Sequence, residues 1–85
     1  MTPEELLPRH PRETLRWLRR RLGLPQRGLV VRLGASRSAV EGWEAGRQAI
    51  SAAYRARLAA LLAPHLATPE GEGFARSLGR DREAG

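Results

Sequence analysis

Between Gln26 and Gly46 the chain reads QRGLVVRLGASRSAVEGWEAG, and no other stretch limits the possible folds as strongly. Leu29 and Leu33 are spaced i, i+4, and Val40 and Trp43 are spaced i, i+3, so each half offers one apolar face to a helix. Gly34 and Ala35 lie between the halves. Ser36 is placed to cap the second helix by accepting from its free N–H groups, and Gly46 supplies a stop. Two helices this short cannot pack side by side through such a turn. The run therefore predicts a steep crossing, a helix-turn-helix.

Charge is concentrated on the same part of the chain. Between residues 14 and 63 there are ten arginines against two glutamates, whereas the remaining segments hold five arginines and seven acids. Arginine runs on small helices are often only a solvated face. Here the basic excess coincides with a motif whose second helix is shaped to enter a DNA major groove, as a phosphate-binding surface requires. All 15 basic residues are arginine, which suits a high-GC bacterial or phage genome. With no cysteine, disulfides and thiolate metal sites are excluded. The longest apolar stretch, Leu58 to Ala63, is far short of a membrane span, so the expectation is a soluble, cytoplasmic protein without membrane contact.

The 85 residues suffice for one small helical domain. Thr2-Pro3-Glu4-Glu5 is a helix-start signal with Glu5 as capping-box partner, interrupted by Pro8 and Pro11. Residues 1–11 are thus expected as an N-terminal arm with one turn of helix. A first full helix runs from Pro11 or Arg12 to Leu22, with Leu15, Leu18 and Leu22 inward and Gly23 as its stop. A second spans Gln26–Leu33 and a third Arg37–Ala45. A fourth follows Ser51, carries Tyr54, Leu58, Leu61 and Leu62 as its stripe, and ends at Pro64. Residues 12–63 would form the helix-turn-helix domain. From 64 to 85 the composition predicts a tail, flexible or docked on the domain, a second subunit or a partner protein. The expected architecture is an all-α bundle of four to five helices.

With the helices placed, the chain from Leu15 to Ser51 resembles the lambda-repressor and Cro-like family of helix-turn-helix proteins, also called XRE-type. The resemblance rests on LRWLRRRLGLPQ, Leu33-Gly34, the S-R-S-A-V of the third helix, and Trp43, Glu44, Gly46 and Arg47 in W-E-x-G-R. It implies that Arg37, Ser38 and Glu41 face base edges. Arg37 would reach guanine O6 and N7, and Glu41 would accept from cytosine or hold Arg37 in place. It places Gln26, Arg27, Arg47, Ser51 and Arg55 against phosphates, Gln26 aided by the helix dipole. It also implies an ion pair between Arg19 and Glu44, tying the first helix to the third.

Three positions depart from the family pattern. Pro25 stands where a serine or threonine cap is usual, and Val30 replaces a small residue at the helix crossing. Gly42 occupies a position where a long base-reading side chain is common. Trp43 reads as a core anchor, while Trp17 either covers the core edge or meets a second subunit. His10 and His65 are too isolated for a metal site or a general base, and no nucleophile constellation can be assembled, which argues against an enzyme. No cofactor is implied. The functional expectation is a sequence-specific DNA-binding regulator, a homodimeric repressor of a phage, plasmid or toxin–antitoxin locus. In that reading Leu62, Leu66, Phe74 and Leu78 would form the dimer contact. The alternative is an adaptor that grips a protein with the same fold, an antitoxin or a phage factor acting on a host protein, its tail folding on the partner.

Overall fold

Three stops and one cap divide the middle of the chain as the sequence predicts. The computed structural model describes residues 1–84. It contains six helices and no strand among them: α1 (Pro3–Arg9), α2 (Pro11–Leu22), α3 (Gln26–Leu33), α4 (Arg37–Ala45), α5 (Ala52–Leu66) and α6 (Pro69–Ala84). Gly34 closes α3 at φ +67, a left-handed conformation that an L side chain resists. Its N–H donates back to the carbonyls of Val30 and Val31, so the turn leaves few orphan acceptors. Ser36 then caps α4 by accepting from the Ala39 N–H at 3.1 Å.

Trp43 and Val40 of α4 are buried among Leu15 and Leu18 of α2, Leu29 and Leu33 of α3, and Leu58 and Leu62 of α5. Tyr54 meets the Trp43 ring at 5.3 Å with a 54° tilt, within the range of centroid separations at which aromatic pairs attract. From α5 the Arg57 guanidinium donates to the Leu33 carbonyl at 3.0 Å, holding the end of α3.

Both ends of the chain depart from expectation. The expected arm is a two-turn helix. Its capping box forms as predicted, Glu5 N–H donating to the Thr2 hydroxyl and Thr2 N–H donating to the Glu5 carboxylate. Those Thr2 bonds hold the Glu5 carboxyl below the usual glutamate range. Pro8 sits inside α1, removing one backbone donor without ending the helix, because Leu6 and Leu7 are fully buried and tertiary packing outweighs the lost bond. Helix α5 likewise runs past Pro64 to Leu66, the Ala67 N–H still reaching the Ala63 carbonyl.

The expected tail forms the last turn of α5 and the whole of α6, while Gly85 lies outside the described residues. Ala75 and Leu78 bury against Leu6, with Leu66 and Phe74 packed on them. The Phe74 ring stacks on Trp17 at 4.8 Å, the planes within 8°. Trp17 therefore covers the core edge. Of the residues expected as a dimer contact, Leu62 and Leu78 are buried within one chain and Phe74 is stacked inside it. Sparse apolar residues mislead here because their partner surface comes from α1 and α2, distant in sequence.

The turn into α6 allows no side chain at Gly71. A methyl there would overlap the His65 carbonyl and the Leu66 backbone, which cannot swing aside as a side chain can. Gly71→Ala should accordingly destabilise by about 1–3 kcal/mol in chemical denaturation, despite alanine's better helix propensity. Undocking of α6 should also red-shift the fluorescence of Trp17.

Candidate nucleic-acid interface

Helix α4 is gripped from α2 by two arginines. Arg19 donates from Nε and Nη2 to the two oxygens of Glu44, at 2.9 and 2.7 Å, a bidentate fork. Glu44 is 5% exposed and the Arg19 side chain 22%, so the pair lies largely out of water. Arg12 donates to the carbonyls of Glu44 at 3.0 Å and Ala45 at 3.2 Å, satisfying acceptors that the end of a helix leaves free. Its role is invisible to residue-type reasoning because its partners are main-chain atoms. The signal was nevertheless present: Arg12, Arg16 and Arg19 are spaced i, i+4, i+7, a basic stripe along one face of α2.

The middle member of that stripe points elsewhere. Arg16 shares a cleft of about 330 Å³ with Gln26 at the start of α3 and with Glu41, Glu44, Ala45 and Arg47. Pro25 is the N-cap of α3 and makes no side-chain capping bond, so the first N–H groups of that helix remain available beside Gln26. A neighbouring depression joins Gln26 to Pro25, Arg27 and Arg37. One face of the molecule thus collects Arg16, Gln26, Arg27, Arg37 and Glu41 from α2, α3 and α4, and Arg47 from the turn that follows α4. Arg16, Arg27 and Arg47 form no ion pair among the described residues. The carboxylates in the cleft are both occupied, Glu44 by Arg19 and Glu41 by Arg37.

At the start of α4, Arg37 projects with 84% of its side chain exposed, and Ser38 is exposed beside it. Arg37 Nε donates to Glu41 at 3.0 Å, one turn on. A pair this exposed is worth about 0–1 kcal/mol, so it orients the guanidinium without locking it. Ser51 lies at the N-cap of α5 and makes no capping bond of its own. Arg55 borders a different groove, lined by Glu4 and the alanines of α5, and is not brought to the cleft around Gln26. Gln48, which the sequence did not single out, folds over Gly42 on the outer side of α4.

The helix-turn-helix domain family matches residues 12–68, which run from α2 to just past α5. The chain belongs to that family. No curated protein and no solved structure matches it. A helix-turn-helix domain points to a DNA-binding regulator, a class that is typically non-enzymatic. No helix among the described residues is long and apolar enough to cross a membrane.

Arg19→Met should cost about 3 kcal/mol, the low end of the range for breaking a buried pair, because Arg19 keeps some solvent contact. Adding Glu44→Leu should recover much of that loss. Denaturation of the two single variants and the double variant measures the coupling, and additive effects would contradict it.

Proposed function

We propose that this helix-turn-helix protein is a sequence-specific transcriptional regulator of the cytoplasm, acting as a dimeric repressor of a phage, plasmid or toxin–antitoxin locus. The observation that carries the reading is the shared face. Exposed Arg37 and Ser38, at the N-terminal end of α4, stand beside Arg16, Arg27 and Arg47, which have no ion-pair partner among the described residues, and beside the uncapped start of α3. The N-terminal residues of a recognition helix are those that meet base edges, whereas arginines and helix N-termini around it suit phosphates. Arg37 reads guanine, with Ser38 and Glu41 beside it, and Gln26, Arg27, Arg47 and Ser51 hold the backbone. To these Arg16 is added on the strength of its cleft. Arg55 is the least favoured of the phosphate contacts, given its place on the other groove.

Dimerisation is proposed because one recognition helix with Gly42 at its centre offers few base contacts. A two-fold pair spanning half-sites about one helical turn apart doubles them. The contact must lie outside Leu62, Phe74 and Leu78, which are taken up within one chain. Sedimentation reads the assembly.

Selection from a random duplex pool tests the function, a palindromic consensus being the expected result and an unenriched pool favouring the adaptor. Arg37→Ala should cost about 1–3 kcal/mol on the selected site and much less on random DNA. Arg16→Ala should weaken binding to all sequences alike and lower the salt slope by about 1. Wild-type affinity should fall by orders of magnitude between about 50 and 200 mM salt.

A further inference from the structure

Gly42 leaves a gap on the outer side of α4, and the structure fills it from outside the helix. Gly42 follows Ser38 by one turn, on the stripe opposite to Val40 and Trp43, where a side chain would face the groove. It is nevertheless buried. A Cβ at that position would lie 2.8 Å from Gln48 Cγ and 2.9 Å from its Cδ, so the Gln48 stem lies flat across the glycine. Gln48 remains exposed overall. Its Nε2 donates to the Ala39 carbonyl at 3.5 Å, the long limit of a hydrogen bond, so the amide is parked but not held. The turn after α4 fixes the base of this side chain, the N–H groups of Arg47 and Gln48 both donating to the Gly42 carbonyl.

From this arrangement, and resting on the DNA-binding reading above, we infer that Gln48 is a specificity-determining residue that supplies the readout Gly42 lacks. A glutamine amide both donates and accepts, which matches the N6 donor and N7 acceptor of adenine in the major groove. The ligand of Gln48 is thus an adenine edge, next to the bases faced by Arg37 and Ser38. Glycine at 42 is what permits it, since any side chain there displaces the stem. Because the amide is neutral, it adds specificity without adding salt dependence.

The test selects bound sites from a random duplex pool with the wild-type chain, Gln48→Met and Gly42→Ala. Gln48→Met keeps an unbranched stem over Gly42 and removes the amide. It should lose discrimination at one adenine position by roughly fivefold to 140-fold, leaving the other positions, the salt slope and the denaturation midpoint unchanged. Gly42→Ala pushes the stem aside and should weaken the same position and no other. If either variant selects every position as sharply as the wild type, the inference is overturned while the DNA-binding reading stands. A wild-type pool with no enrichment overturns both.

Discussion

Everything α4 presents outward depends on how its inner side is held. A nine-residue helix is marginal alone and takes its stability from packing. Val40 and Trp43 supply that packing, but apolar burial is non-directional and by itself leaves the rotation of a short helix loosely set. The Arg19–Glu44 fork adds direction, because a bidentate pair accepts only a narrow range of approach. Arg12 fixes the other coordinate by holding the last carbonyls of the helix. With its inner face, its end and its Ser36 cap all held, α4 keeps Arg37 and Ser38 in one place while they remain in solvent.

What was legible in the sequence is what local chemistry decides. The ends of α2, α3 and α4 follow from Gly23, Gly34, Gly46 and Ser36, and each of those signals acts within four residues of its own position. The extent of α1 and α6 does not follow from local chemistry. Leu6 and Leu78 stand 72 positions apart, and the cluster that buries them draws on three helices, α1, α5 and α6. Most residues of the candidate interface were nameable only because the resemblance to lambda-repressor and Cro-like proteins implied them position by position. Arg12 and Gln48 were not, since one bonds to main-chain atoms and the other covers a position whose own side chain is a hydrogen.

The count of positive charge also meant less than it suggested. Ten arginines between residues 14 and 63 look like one basic surface, but they are spent in different ways. Arg19 is committed to Glu44 and Arg57 to the Leu33 carbonyl, and Arg21 and Arg57 lie over the rings of Trp17 and Tyr54. Charge that is already paired or held against the protein releases little on meeting a phosphate, because counterion release depends on the cations newly brought to the backbone. Arg16, Arg27 and Arg47 differ in kind: they share one face, they have no carboxylate partner among the described residues, and the two glutamates that line the cleft with Arg16 and Arg47 are already bound. The two glutamates of this region thus shape the surface they appear to oppose. By engaging Arg19 and Arg37, Glu44 and Glu41 are kept from neutralising the arginines beside them. The face left positive is the one on which the start of α3 and the start of α4 both open.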